Sequence, residues 1–79
     1  MSNAGTISIN KSALKTWMLG ARTNEYNVAK LIGYDPGNFG RMISGEIEPS
    51  KTVIKKLMNL TGYSFEALFD YHRFVKADG

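Results

Sequence analysis

Residues 24–45 read NEYNVAKLIGYDPGNFGRMISG, and the fold is decided there. Asn24 suits a helix start, because its side-chain oxygen can accept from one of the backbone N–H groups that open a helix without a partner. Val28, Ala29, Leu31 and Ile32 then supply one apolar helix face. Gly33 marks the stop, since glycine takes the left-handed conformation that ends many helices without steric cost. Asp35-Pro36 starts a second helix, with the carboxylate as cap and the proline at the first helical position, where its missing N–H is not needed. This helix is predicted over Gly37 to Ser44, with Gly45 ending it. Phe39, Met42 and Ile43 recur at three and four residues and define its inner face, so Asn38, Arg41 and Ser44 point away from the core.

Upstream, a helix is predicted from Asn10, with Leu14, Trp17 and Met18 as its inner stripe and Gly20 loosening its end. Thr6 to Ile9 alternate polar and apolar, which fits an extended arm or a short edge strand. Met1 to Ala4 contains Ser-Asn-Ala, which resembles a residue left by an expression tag and is set aside. Downstream, Gly45 to Pro49 is a loop, and Ser50 caps a fourth helix with Val53, Ile54, Leu57, Met58 and Leu60 facing inward. Gly62 closes it, and Ser64 caps a short fifth helix built on Phe65, Leu68 and Phe69. Beyond Asp70 two readings stand: Tyr71, Phe74 and Val75 fit a helical continuation, whereas His72 to Lys76 also fit a strand. The expected fold class is all-α, a compact five-helix domain over residues 10–70. An N-terminal arm over 1–9 and a C-terminal tail over 71–79 flank it.

Seventy-nine residues suit one small domain near the lower limit for a fold held by its apolar core. The absence of cysteine excludes disulfides and thiolate metal sites and fits a reducing cytoplasm. His72 is the only histidine, so a multi-histidine metal centre is excluded and no cofactor is expected. No apolar run reaches bilayer length and no signal-peptide pattern opens the chain, so a soluble, cytoplasmic protein without a membrane partner is expected. Ten Lys and Arg against seven Asp and Glu give a formal charge of +3, which permits a polyanionic partner without requiring one. The distribution says more: Lys11, Lys15, Arg22, Lys30 and Arg41 are opposed in that region only by Glu25 and Asp35.

Other residues argue against catalysis. His72 with Asp70 or Glu66 lacks the nucleophile and oxyanion site that a catalytic pair needs, so neither an enzyme nor a small-molecule substrate is expected. Trp17, Tyr26, Tyr34 and Tyr63 are too dispersed for a base-stacking platform. Tyr34, beside the second helix of the pair, is the exception and is a candidate to reach a phosphate. Lys51, Lys55 and Lys56 follow a solvated helix face, with Lys51 placed where a helix start attracts anions.

The order of five helices, Ala29 four before Gly33, Gly33 twelve before Gly45, and the Pro49-Ser50 helix start resemble the lambda-repressor-like Cro/CI (XRE) family of helix-turn-helix proteins. The resemblance covers about Lys11 to Phe69. It implies that the second helix of the motif lies in the major groove of double-stranded DNA, that the first crosses the backbone, and that a homodimer spans two half-sites. Carried onto matching positions, base contacts fall to Arg41, Asn38 and Gly37. Arg41 is suited to a bidentate pair with a guanine edge and Asn38 to adenine, or to stabilising the helix start. Gly37 would let the backbone approach or leave a thymine methyl room. Phosphate contacts fall to Ser44, Asn24, Asn27, Lys30, Tyr34 and Lys51. The implied function is a sequence-specific transcriptional regulator, a repressor by preference, of bacterial, phage or mobile-element origin, acting by occupancy.

Four departures from the family pattern qualify the implied contacts. Glu25 stands where many members carry Gln for a phosphate, and a carboxylate disfavours that contact. Met18 and Ile43 fall where many members bury an Arg–Glu pair; two apolar groups are a consistent joint replacement, whereas one change alone would strand a charge. Gly37 and Gly40 each cost about 1 kcal/mol of helix propensity relative to Ala, and tight packing is the favoured reason for Gly40. Pro36 occupies a position from which relatives send a polar side chain to a base. Glu25, Pro36, Gly37 and the modest charge also fit a helix-turn-helix fold used as a protein–protein interaction module or an antitoxin-like partner. The expected dimer contact is the tail from Tyr71 to Val75 with Ile7 and Ile9, the alternative being packing within the monomer.

Overall fold

Five helix starts in this chain are made in the same way. In the computed structural model, which describes residues 4–74, Asn10, Asn24, Asp35, Ser50 and Ser64 each stand in extended backbone ahead of a helix. Each side chain accepts a hydrogen bond from the N–H three residues on, at Ala13, Asn27, Asn38, Val53 and Ala67. A cap of this kind is worth about 1 kcal/mol. The helices they open are α1 (Lys11–Ala21), α2 (Glu25–Leu31), α3 (Pro36–Ile43), α4 (Lys51–Thr61) and α5 (Phe65–Leu68). None among the described residues is long and apolar enough to cross a membrane.

The stops are also explicit. Gly33 and Gly45 turn the chain after α2 and α3 with φ of 71° and 92°. After α1 the left-handed residue is Arg22, φ 57°, not a glycine: its N–H donates to the Met18 and Leu19 carbonyls, and Thr23 N–H follows onto Met18 at 2.9 Å. The expected loosening at Gly20 is therefore displaced to Arg22, since α1 continues through Ala21. At the end of α2, Lys56 reaches over from α4 and donates from Nζ to the Ile32 carbonyl at 3.1 Å. Lys56 is thus not merely part of a solvated face; it satisfies a carbonyl that the end of a helix leaves free.

The all-α expectation needs correction at both ends of the domain. Ala4–Ile9 forms β1 and Phe69–Phe74 forms β2, paired antiparallel from Ala4↔Phe74 to Ile9↔Phe69. The pleat sorts the ribbon into two faces. Ile9 and Phe69 lie opposite one another, each 3% exposed within the core, with half-buried Ile7 beside them. Thr6, Ser8, Asp70 and His72 form the polar face. A helix over Tyr71 to Phe74 would have broken this alternation, which is why the strand alternative prevails; Val75 and Lys76 lie outside the described residues. Residues 4–9 of the arm and 71–74 of the tail are accordingly paired in one ribbon, whose Ile9 and Phe69 enter the core. Leu14, Val28, Ala29, Phe39, Met42, Leu57 and Leu68 complete the centre of the core.

Candidate nucleic-acid interface

The geometry begins with the turn between α2 and α3. Tyr34 N–H donates to the Ala29 carbonyl at 2.8 Å and Gly33 N–H to Lys30 at 3.1 Å, so the backbone doubles back while its polar groups stay paired. Asp35 then caps α3, its Oδ2 accepting from Asn38 N–H at 2.9 Å, and Pro36 takes the first helical position. Phe39, Met42 and Ile43 anchor the inner side of α3, all buried, and the Tyr34 ring meets Phe39 edge-on at 6.5 Å between centroids. The start and orientation of α3 are thereby fixed from three sides.

On the outer side, Asn38 and Arg41 are exposed, and their three-residue spacing puts them on one helix face. Gly37 is exposed beside them. A Cβ at Gly37 would sit 3.2 Å from Asp35 Oδ2, so the missing side chain leaves room for the cap. At Gly40 the packing expectation is corrected: a Cβ there meets nothing within 4 Å, so no neighbour requires a glycine. Ser44 is exposed, but its hydroxyl lies 3.0 Å from the Arg41 carbonyl and 3.2 Å from Glu46 Oε2. That hydroxyl is engaged locally and holds a carboxylate beside it, an unfavourable setting for a phosphate.

On α2, Asn24, Asn27 and Lys30 are exposed. Asn24 Oδ1 is occupied as the helix cap at 2.9 Å from Asn27 N, which leaves its amide NH₂ as the group able to donate. Lys30 Nζ stands 5.3 Å from the centre of the Tyr26 ring, a cation–π contact that holds the ammonium on the α2 surface. Lys51 is exposed in the first turn of α4, next to the Ser50 cap. Tyr34, in contrast, is half-buried and packs into the core by its ring, so its role in the structure is first a packing one. Glu25 is exposed in the first turn of α2, where the resemblance implies a phosphate contact that a carboxylate would disfavour.

Met18 and Ile43 border one open groove of about 850 Å³ between α1 and the starts of α2 and α3, together with Leu14, Leu19, Tyr26 and Pro36. The two positions expected to replace a buried ion pair thus share one apolar recess. Asn24, Glu25 and Gly37 lie on its rim, so the recess adjoins the candidate interface. Leu19 and Tyr26, 72% and 57% exposed, were not singled out in the sequence as a surface. The available signal was Leu19 itself, an apolar residue next to the α1 inner stripe without a place in it. Comparison with family models, with curated proteins and with solved structures finds no match to this chain.

Proposed function

We propose that this protein is a lambda-repressor-like helix-turn-helix regulator that binds double-stranded DNA, with α3 in the major groove and α2 across the sugar–phosphate backbone. The observation that carries this reading is the two-sidedness of α3. Its Phe39, Met42 and Ile43 are locked into the core, while Asn38 and Arg41 stand exposed on a helix whose start is fixed by the Asp35 cap. Arg41 supplies the base contact, its planar guanidinium matched to the two acceptors of a guanine edge. Asn38 and the Gly37 backbone lie beside it. Lys30 and Lys51 neutralise phosphates, and the Asn24 and Asn27 amides orient the backbone. Ser44 and Tyr34 rank behind these because a carboxylate and the core, respectively, already engage them. The protein acts by occupancy as a cytoplasmic repressor, bound as a homodimer.

The test is a salt titration of binding to random-sequence duplex, followed by selection of preferred sites. Affinity should fall steeply as salt rises, because each neutralised phosphate releases counterions. No detectable binding at low salt would remove the proposal. Arg41→Ala should weaken a selected site by about 1–3 kcal/mol while affecting random duplex less. Equal losses on both would make Arg41 a phosphate contact. One observation favours a second reading, the protein–protein module or antitoxin-like partner: the recess beside α3 exposes Leu19 and Tyr26, which a partner helix could cover.

A further inference from the structure

The two edges of the β1–β2 ribbon are not equivalent. Ile7 N–H donates to Glu48 Oε2 at 2.9 Å, away from β2, and Asn10 N–H donates to the Leu68 carbonyl at 2.8 Å. With Ile7 opposite Tyr71, these two bonds set the alternation of the ladder. Residues 6↔72 and 8↔70 exchange hydrogen bonds, whereas 5↔73 and 7↔71 turn their N–H and C=O groups outward. Glu48 closes the outward side of β1 at Ile7. On β2, the Phe69 N–H is taken by the Phe65 carbonyl. The Tyr71 N–H and C=O have no partner among the described residues, and Tyr71 is 56% exposed. An edge strand with outward backbone groups and an exposed aromatic is a template for another strand.

We infer that the outer edge of β2 pairs antiparallel with β2 of a second copy of this chain, about a two-fold axis at Tyr71, giving a four-stranded sheet β1-β2-β2-β1. This inference deepens the dimer part of the proposed function, on which it rests only for its purpose, since the edge exists without DNA. The register follows from sequence and parity together. Three two-fold centres, at 70, 71 and 72, keep outward residues opposite outward residues and also set Tyr71 against a residue within β2 of the second copy. A centre at 70 sets Asp70 against Asp70 of the partner subunit, a like-charge pair that is destabilising. A centre at 72 sets His72 against its own copy. A centre at 71 sets Asp70 against the partner's His72 twice, places the two tyrosines opposite one another, and lets each Tyr71 N–H donate to the other's carbonyl. Of the expected dimer residues, this retains Tyr71 and releases Ile7 and Ile9, which are committed to Glu48 and to the core of their own chain.

The test uses the full chain without DNA, by sedimentation equilibrium and by amide exchange at low and high concentration. A short paired edge covers less surface than a standard interface, so self-association should be weak and concentration-dependent. The Tyr71 amide should exchange freely when dilute and become protected when concentrated. Tyr71→Pro removes the outward donor together with the facing ring and spares the hydrogen bonds of the intramolecular ladder, so it should raise the dimer dissociation constant about tenfold or more with helical circular dichroism unchanged. His72→Glu, which sets a carboxylate against the partner's Asp70, should weaken the dimer several-fold, and Arg41→Ala should leave it intact. A chain still monomeric at about 1 mM, a Tyr71 amide indifferent to concentration, or a dimer unmoved by Tyr71→Pro or His72→Glu would overturn the inference. Loss of DNA binding with the dimer retained would count against the DNA reading alone. DNA binding by a monomeric chain would count against the strand pairing alone.

Discussion

The α2–turn–α3 segment and the terminal ribbon both feed apolar residues into the same core, but they are organised over very different lengths of chain. Apart from Lys56 on the Ile32 carbonyl, the bonds that shape the helical pair are short in sequence: Asn24 to Asn27, Ala29 to Tyr34, Asp35 to Asn38. In the ribbon the contacts join residues 60 and more apart, such as Asn10 Nδ2 to Asp70 and Ser8 to His72. Ordering a contact of the second kind requires the intervening chain to be closed first, and closure entropy opposes it. The pair can therefore be specified by its own residues, whereas the ribbon depends on the core that brings the two ends of the domain together.

The largest expected effect is on the inner face of α3. Phe39 is fully buried at the centre of the core, and Phe39→Ala should cost about 3–5 kcal/mol, a large share of the stability of a small domain. Chemical denaturation of the full chain measures it, and a loss under about 1 kcal/mol would mean that α3 is not anchored as described. Next comes Ile9→Ala, which should cost about 2 kcal/mol or more and act differently in kind. The amides of Thr6 and Ser8 should lose exchange protection by local opening while those of α3 keep theirs. Equal loss in both would show that ribbon and helices open together.

The same contrast explains what could be read in the sequence. All five caps and the stops at Gly33, Gly45 and Gly62 are single residues acting on near neighbours, so residue type and position were enough. Arg22 escaped because a left-handed turn at an arginine carries no compositional mark. Lys56 escaped because only tertiary packing brings its Nζ to Ile32. The strands were legible as alternation over Thr6 to Ile9, but pairing with a segment 60 or more residues away was not, and the alternative of helix or strand beyond Asp70 could be settled only by the partner strand. At the candidate interface, exposure of Asn38 and Arg41 followed from the helical period. The engagement of Ser44 by Glu46 and the burial of Tyr34 against Phe39 depended on side-chain directions that spacing does not encode.

A smaller effect isolates the local code itself. Asp35→Ala removes the acceptor that holds Asn38 N–H and should lower stability by about 1 kcal/mol in thermal or chemical unfolding. Asp35→Asn should recover most of it, because the amide oxygen can also cap. If the asparagine variant were as unstable as the alanine variant, the contribution of Asp35 would lie in its charge near the positive end of α3 and not in the hydrogen bond.

The smallest effect has the opposite sign. Gly40 lies inside α3, where glycine costs backbone entropy, and an added Cβ would meet nothing within 4 Å. Gly40→Ala should therefore stabilise the fold by about 0.5–1 kcal/mol, seen as a raised unfolding midpoint. A lowered midpoint would mean that helix packing requires the glycine after all. The gain in stability would also sharpen the comparison between inner and outer sides of α3, because it would leave Gly40 without a packing reason. With α3 in a major groove, close backbone approach supplies one, and the more stable variant should bind a selected duplex less tightly than the parent. Unchanged affinity would place Gly40 away from the DNA in the proposed complex and leave Arg41 and Asn38 as its proposed base contacts.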